Sequence, residues 1–218
     1  MEINLTKINT PLFAGIAPED REALLSCIGY HIVSVKKGEI IVFEEEIIKQ
    51  IGIVLYGTVD MIKEDVWGNK TIILRIGKDD IFGESFACGE DNLSAVTFTA
   101  SEDTTILFLP FRKVMHSCTI ACVFHHRLVE NMVRIIAKKN RDFMQKIEVI
   151  TKRTIREKLL TYLSIQAQIQ GTRYFEIPLG RVELAEYLCV DRSALTRELA
   201  KMKEDGLIDY DKKSFRII

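Results

Sequence analysis

Short runs rich in β-branched and aromatic residues dominate the chain between His31 and Leu109. Turn-forming pairs such as Lys37-Gly38 and Tyr56-Gly57 separate these runs at the intervals typical of antiparallel sheets. The pattern predicts a β-sandwich or small barrel, preceded by a short amphipathic helix that begins at Pro18. The predicted strands are His31–Lys36, Glu39–Phe43, Gly52–Leu55, Thr58–Lys63, Thr71–Ile76, Ala95–Ala100 and Thr105–Leu109.

The hydrophobic period changes after Pro110, where a short helical lead from Phe111 is followed by a long helix over roughly 120–150. One stripe of this helix repeats at the alternating four- and three-residue spacing of a coiled coil, and Leu128 and Ile135 begin a second stripe beside it. We expect one stripe to pack against a partner helix and the other against the chain's own barrel. The stripe assigned to a homodimer contains Cys118, Cys122, His125, Val129, Met132, Ile136, Lys139 and Phe143, with Cys122, His125, Val129, Met132, Ile136 and Phe143 as the interface residues.

The last third of the chain has the element order of a winged helix-turn-helix, whose second helix enters the major groove of DNA. The predicted elements are a helix over Thr151–Gln170, a strand over Tyr174–Ile177, helices over Arg181–Leu188 and from the N-cap Asp191 to Asp205, and strands over Leu207–Tyr210 and Ser214–Ile218.

Leu195 and Leu199 of the second helix are expected to face the core. The polar residues near the start of that helix are then left on its outward face. Arginine presents a bidentate fork to guanine, and Ser or Thr can bond bases or phosphates. Lysines at the tip of the hairpin are placed to contact phosphates. The predicted DNA-binding residues are Arg192, Ser193, Thr196, Arg197, Lys212 and Lys213; the alternative is an ordinary helical hairpin with solvated arginines.

The charge is divided unevenly, although the net charge is only −1. Residues 1–110 hold 9 Lys and Arg against 18 Asp and Glu, residues 111–150 hold 8 against 3, and residues 151–218 hold 13 against 10. An acidic front and a basic back fit a molecule that brings only its back to a polyanion.

Composition excludes several classes of protein. The longest stretch free of Asp, Glu, Lys and Arg is Leu159–Thr172, which is too short and too polar for the ~20 residues that span a bilayer. Five scattered cysteines without a CxxC pair, and a start without a secretory leader pattern, predict reduced thiols and a cytoplasmic location. The sequence lacks HExxH, GxSxG and glycine-rich phosphate loops, which argues against an enzyme.

Three segments of the chain resemble the cyclic-AMP receptor protein and fumarate-nitrate regulator (Crp/Fnr) family. They are Arg181–Leu188, Asp191–Leu199 and Gly206-Leu207-Ile208, and the resemblance extends upstream through Ile81-Phe82-Gly83-Glu84-Ser85 and the long helix. It implies an α+β fold with a cyclic-nucleotide-binding-type β-barrel (jelly roll), a long dimerisation helix and a C-terminal winged helix-turn-helix. The corresponding domains are 1–110, 111–149 and 150–218.

The family resemblance also implies a homodimeric transcription regulator that binds an inverted repeat of double-stranded DNA and works with RNA polymerase. Arg192, Ser193 and Arg197 match the family's base-reading trio by position. Ser193 stands where the best-known members carry glutamate, which accepts from cytosine, so a different operator is implied. Cys189 stands where a helix-turn-helix commonly has glycine, at a cost of about 1 kcal/mol if its backbone is left-handed.

The family's cyclic-nucleotide site implies an effector position at Gly83, Glu84, Ser85 and Ser94. In cyclic-AMP-binding members an Arg-Ser-Ala run neutralises the phosphate, whereas here the run is Leu93-Ser94-Ala95. The long helix also has no Ser or Thr from Ile120 to Ile150 for the adenine contacts. A buried phosphate without a cation is costly, so we expect an unknown small-molecule effector other than cyclic AMP. Glu84 is as well explained as a residue that caps local N–H groups.

Two alternatives stay open. Cys118, Cys122 and His125 have the spacing at which a dimer could hold a soft metal or act as a redox sensor, although small cysteines in a coiled-coil seam explain them more simply. A sensor or scaffold whose winged helix binds protein is the other, because winged helices serve that purpose too. A salt-sensitive DNA affinity would separate this scaffold from a DNA reader.

Overall fold

A computed structural model describes residues 8–116 and 123–218 of the chain. These residues form two compact units. The first unit contains the described residues through Lys63 together with Leu74–Asn140, and the second contains Glu64–Ile73 and Arg141–Ile218. Among the described residues, no helix is long and apolar enough to cross a membrane.

Two four-stranded antiparallel sheets carry the β-rich part of the chain, in the orders β1-β8-β3-β6 and β2-β7-β4-β5. This arrangement confirms the predicted jelly roll. Its strands are β1 (His31–Val35), β2 (Ile40–Val42), β3 (Gln50–Tyr56), β4 (Val59–Glu64), β5 (Lys70–Ile76), β6 (Ile81–Phe82), β7 (Thr97–Ala100) and β8 (Thr104–Pro110). The two-residue β6 was not predicted, because so short a strand leaves no alternation in the sequence.

Four helices belong wholly or partly to the first unit: α1 (Pro18–Ile28), α2 (Glu84–Ala87), α3 (Phe111–Met115) and α4 (Val123–Ile150). A 3₁₀ turn over Pro11–Phe13 precedes α1. The predicted start of the long helix near Ile120 lies outside the described residues.

Aromatic rings fill the space behind α2. The Phe98 ring centroid lies 5.1 Å from that of Phe82 and 6.2 Å from that of Phe86. Gly52 of β3 makes room for this packing, since a Cβ at Gly52 would lie 2.3 Å from the Phe82 ring. The absence of a side chain at Gly52 therefore lets the Phe82 ring of β6 pack directly against β3.

The long helix divides its apolar residues differently from the prediction. His125 and Met132, predicted to lie in the dimer interface, are buried within the single chain at 4% and 1% exposure. Val133 is 61% exposed and Ile136 is 39% exposed. The assignment of His125 and Met132 to an intermolecular seam is therefore corrected, because residues already buried in one chain gain nothing from a partner. The buried stripe is His125, Leu128, Met132, Ile135 and Lys139, and the exposed apolar residues are Val133, Ile136, Met144 and Ile147.

The second unit has its own hydrophobic core, built around Leu159, Leu184, Leu195, Leu199 and Phe215. Its elements are α5 (Ile155–Gln170), β9 (Tyr174–Glu176), α6 (Arg181–Leu188), α7 (Arg192–Glu204), β10 (Ile208–Asp211) and β11 (Ser214–Ile217). The strands form an antiparallel sheet in the order β10-β11-β9. This is the predicted winged helix-turn-helix.

One predicted boundary is corrected by a capping box. Helix α5 begins at Ile155 instead of Thr151, because Thr154 is its N-cap. The Glu157 N–H donates to Thr154 Oγ1 at 3.1 Å, and the Thr154 N–H donates to Glu157 Oε2 at 3.0 Å. Thr151 instead closes the preceding helix, donating its hydroxyl to the Ile147 carbonyl.

Candidate nucleic-acid interface

The turn between α6 and α7 is a Schellman-type stop. Cys189 adopts the left-handed conformation at φ 53° and ψ 55°. The Val190 N–H donates to the Ala185 carbonyl at 3.0 Å, which satisfies a carbonyl at the end of α6. Cys189 therefore takes the left-handed conformation for which a cost was expected from the sequence, and it sets the direction in which α7 departs.

Asp191 caps the N-terminus of α7. Its Oδ1 accepts from the Ala194 N–H at 2.9 Å and from Ser193 Oγ at 2.6 Å. The hydrogen bond from Ser193 and the backbone bond from Ala194 lower the pKa of Asp191. The cap is therefore anionic at neutral pH and complements the positive end of the helix dipole.

The first two turns of α7 carry the four helix residues predicted to contact DNA. Arg192, Ser193, Thr196 and Arg197 are all exposed, whereas Leu195 and Leu199 are fully buried. The Thr196 hydroxyl donates to the Arg192 carbonyl at 2.9 Å, so it keeps only acceptor capacity for an outside donor. The structure brings all four side chains to one exposed helix face.

Arg156 of α5 holds α7 in place and was missed from the sequence. Its Nε lies 2.6 Å from Glu198 Oε1, and its Nη1 lies 2.7 Å from Asp205 Oδ2. The guanidinium thus joins the middle and the C-terminal end of α7 to a neighbouring helix. No sequence signal identifies the contact, because Arg156 and Glu198 are 42 positions apart.

The wing is the turn between β10 and β11. Lys212 lies at its tip with a left-handed backbone (φ 50°), and both Lys212 and Lys213 are exposed. Lys213 Nζ donates to the Pro178 carbonyl at 2.9 Å, so this side chain also ties the wing to the segment before α6. Lys212 is thus the simpler of the two candidate phosphate contacts.

Arg181, at the start of α6, is a second positioning residue that the sequence did not reveal. Its guanidinium carbon lies 4.6 Å from the Tyr210 ring centroid and 5.5 Å from that of Phe215. Burial against these rings lowers the pKa of Arg181. The contact fastens the wing sheet to the first helix of the motif.

In the first unit, three of the four candidate effector residues lie together. Gly83 has a left-handed backbone (φ 83°) and forms the N-cap of α2. Glu84 is 1% exposed and pairs with Lys139 of α4, and Ser85 Oγ donates to Glu84 Oε1 at 3.0 Å. The fourth candidate, Ser94, is buried and donates to the Val96 carbonyl at 2.6 Å.

The run at Leu93-Ser94-Ala95 has a lysine beside it instead of an arginine within it. Lys63 Nζ donates to the Ala95 carbonyl at 3.1 Å and pairs with Glu44. Leu93 itself is 43% exposed. The sequence did not reveal Lys63, which lies on β4, as a neighbour of this run.

The metal or redox alternative is only partly visible, since Cys118 and Cys122 lie outside the described residues. His125 is directed into its own unit, with Nε2 3.2 Å from the Lys113 carbonyl. Within residues 8–116 and 123–218, no cluster of three or more His, Cys, Asp or Glu side chains is arranged to hold a metal ion.

Comparison with known proteins identifies both parts of the chain. The cyclic nucleotide-binding domain model matches residues 32–118, and the Crp-like helix-turn-helix domain model matches residues 157–218. The chain is 25% identical to the cyclic AMP receptor protein of Thermus thermophilus over 203 residues, which cover 91% of this chain and 88% of that protein.

Two further proteins, one similar in sequence and one in fold, resemble this chain. The transcriptional activator protein FnrA of Stutzerimonas stutzeri is 25% identical over 128 residues, covering 56% of this chain and about half (51%) of FnrA. The solved structure of CLP, a c-di-GMP-responsive global regulator of Xanthomonas campestris, shares the fold with a TM-score of 0.72 at 15% identity over 90% of this chain and 96% of CLP. With both domain models present in this order, the chain belongs to the Crp/Fnr family of transcription regulators, which are not enzymes.

Proposed function

We propose that this chain is a homodimeric, sequence-specific DNA-binding regulator that reads an inverted repeat. The observation that carries the proposal is the exposed start of α7, where Arg192, Ser193, Thr196 and Arg197 share one face above a fully buried Leu195. A helix with this geometry fits the major groove with its N-terminal residues against base edges. Lys212 and Lys213 are assigned to phosphates beside the groove.

The dimer is assigned to an apolar stripe of α4 whose members are exposed or half-buried in the single chain. Val129, Val133, Ile136, Phe143 and Ile147 repeat at spacings of four, three, seven and four residues, which keeps them on one side of the helix. Val133 and Ile147 are 61% and 56% exposed in the single chain, so a partner helix would remove substantial apolar area from water. Cys122 remains a candidate member at the end of the stripe, although it lies outside the described residues.

The effector is assigned no chemical identity, and cyclic AMP is not expected. Glu84 is already paired with Lys139, and Leu93 supplies no charge for a phosphate. Such a regulator would act in the cytoplasm together with RNA polymerase.

Binding-site selection with the purified full-length protein tests the proposal. We expect an inverted repeat whose half-site centres lie one helical turn, ~34 Å, apart. The logarithm of the affinity should fall with the logarithm of salt concentration by about 0.9 per phosphate contact. Failure to enrich any sequence, together with a salt-independent affinity, would contradict the proposal and favour a protein-binding winged helix.

A further inference from the structure

A buried ion pair joins the long helix to the short helix of the barrel. Lys139 Nζ lies 2.9 Å from Glu84 Oε1 and 2.8 Å from Glu84 Oε2, and it also donates to the Ile81 carbonyl at 2.6 Å. Lys139 is 8% exposed and Glu84 is 1% exposed. Both charges are therefore removed from water and depend on each other.

The pair has no spare hydrogen-bonding capacity on its cationic side. An ammonium group has three N–H donors, and Lys139 makes three contacts with Glu84 and Ile81. On the anionic side, the Ser85 hydroxyl also donates to Glu84 Oε1 at 3.0 Å. The acid is thus already supplied with donors from the chain itself.

A ligand that used Glu84 would have to break this arrangement. A ligand hydroxyl would displace the Lys139 ammonium from the carboxylate, whereas an anionic ligand would displace the carboxylate from Lys139. Either event leaves one charge buried without its partner, which is strongly unfavourable. The geometry therefore opposes occupation of this position by a nucleotide or by another small anion.

The pair also joins α2 and β6 to α4, a connection that a bound ligand would otherwise have to make. Glu84 is the first residue of α2, directly after β6 and the left-handed Gly83. Lys139 lies on α4, one residue before Asn140, at which the first compact unit ends. A contact at Lys139 thus fixes α2 and β6 to the last turn of α4 within that unit.

We propose that the Lys139 ammonium group serves as a built-in effector: it closes the barrel at Glu84 and fixes α2 to α4, so DNA binding requires no small molecule at that position. The proposal rests on the proposed function, because its readout is operator binding. In this proposal, Lys139 is the residue that excludes ligands from the Glu84 carboxylate.

Chemical rescue of Lys139→Ala tests the proposal directly. This variant removes the ammonium group and leaves a space beside Glu84, so we expect its operator affinity to fall at least tenfold. Ethylammonium chloride should restore most of the loss by placing a small ammonium ion against the carboxylate, as expected when a ligand binds only the competent state. Tetramethylammonium chloride at equal ionic strength controls for screening of DNA contacts and should not rescue, because it has no N–H donor.

Lys138→Ala is the matched control. Lys138 is the neighbouring lysine of α4 but is exposed, with its Nζ 3.7 Å from Asp80. Its loss should change operator affinity less than twofold, and ethylammonium should have no effect. A folded Lys139→Ala variant with wild-type affinity, or with a loss that both ammonium salts relieve equally, would overturn the proposal.

A second measurement on the wild type decides the matter even if Lys139→Ala does not fold. Protein unfolded in guanidinium, dialysed and refolded without small molecules should bind the operator as tightly as protein taken directly from its host. A need for a small molecule that only the host-purified protein carries would overturn the built-in effector while leaving the DNA-reading function intact. If neither preparation binds the selected DNA, the proposed function itself fails.

Discussion

The ammonium nitrogen of Lys146 lies 3.4 Å from the centroid of the Tyr187 ring, within the second unit. The same nitrogen donates to the Ile72 carbonyl at 3.0 Å and to the Tyr187 carbonyl. Burial lowers the pKa of Lys146 to about 8 and raises the pKa of Tyr187 to about 12. Lys146 of α4 thereby connects β5 to α6 through a costly buried charge.

This buried lysine predicts a specific dependence of stability on pH. The folded-state pKa of Lys146 is about 8, below its ordinary value of 10.5, so the unfolded chain binds more protons between these two values. Stability therefore rises as pH increases through that window, by up to about 3 kcal/mol in total if no other group intervenes. Tyr187 acts in the opposite direction above its ordinary pKa of 10, because its folded-state pKa is raised.

The measurement compares Lys146→Met with the wild type by urea unfolding between pH 7 and pH 10. The difference in unfolding free energy between the two proteins should shift in favour of the wild type as pH rises. Lys201→Met, which replaces an exposed lysine of α7, is the control and should show no such shift. A constant difference between Lys146→Met and wild type across this range would contradict the assignment of the lowered pKa.

The left-handed backbone of Cys189 predicts that a glycine at this position stabilises the winged helix-turn-helix. A side chain at φ 53° costs about 1–2 kcal/mol. Glycine removes this cost, but part of the gain is lost because glycine has greater conformational freedom in the unfolded chain. We expect Cys189→Gly to raise the free energy of unfolding by about 0.5–1 kcal/mol, measured by urea unfolding.

Cys88→Gly is the matched control for this effect. Cys88 is also an exposed cysteine at a helix C-cap, but its backbone is right-handed at φ −91°. Glycine should therefore give no gain there and a loss of up to about 1 kcal/mol. Equal effects of the two substitutions would show that the conformation of Cys189 carries no strain.

The elements of the winged helix-turn-helix were predicted from the sequence more completely than those of the barrel and its long helix. Helix α6 has the bounds predicted from the sequence, and α7 begins after the predicted cap, because Asp191 and the buried leucines are local signals. The faces of α4 were assigned less well, since Met132 and Ile136 follow one heptad pattern although only Ile136 is exposed. A helical period states which residues share a side but not which side meets the chain's own barrel.

The polar contacts that hold the candidate sites were beyond sequence reasoning. Lys139 reaches Glu84 across 55 positions, and Arg156 reaches Glu198 across 42. Lys139 even occupied a place in the predicted dimer stripe, where a lysine is out of character. Its presence among apolar positions was a signal of a buried partner, but only the fold identifies that partner as Glu84.

The exposed stripe of α4 predicts different outcomes for two similar substitutions. Ile136→Glu places a charge in the assigned seam and should give a folded monomer that binds the operator weakly, as measured by sedimentation velocity. Met132→Glu buries a charge within a single chain and should lower the thermal stability of the fold itself.

Arg134→Glu, at an exposed polar position of the same helix, controls for the introduction of a glutamate on α4 and should remain dimeric. An intact dimer in Ile136→Glu would place the seam elsewhere. A fully stable Met132→Glu monomer would contradict the burial of Met132 within its own chain.

The DNA-reading assignment predicts a division of labour between Arg197 and Lys212. Arg197 lies on the exposed face of α7 and is assigned to a guanine, so Arg197→Ala should weaken operator binding by roughly 1–3 kcal/mol and relax the preference at one base pair per half-site. Lys212, at the wing tip, is assigned to a phosphate, so Lys212→Ala should weaken all sequences alike and reduce the salt slope by about 0.9 for each protomer.

Binding-site selection with both variants separates the two roles, and Lys212 is preferred to Lys213 because Lys213 also bonds the Pro178 carbonyl. Arg192 lies five residues earlier on the exposed side of α7 and is the next candidate for the base contact. If Arg197→Ala retained the complete wild-type sequence preference, the base-reading role would pass to Arg192 and Ser193. If Lys212→Ala changed the selected sequence, the wing would be reading bases, because a phosphate contact carries no direct sequence information.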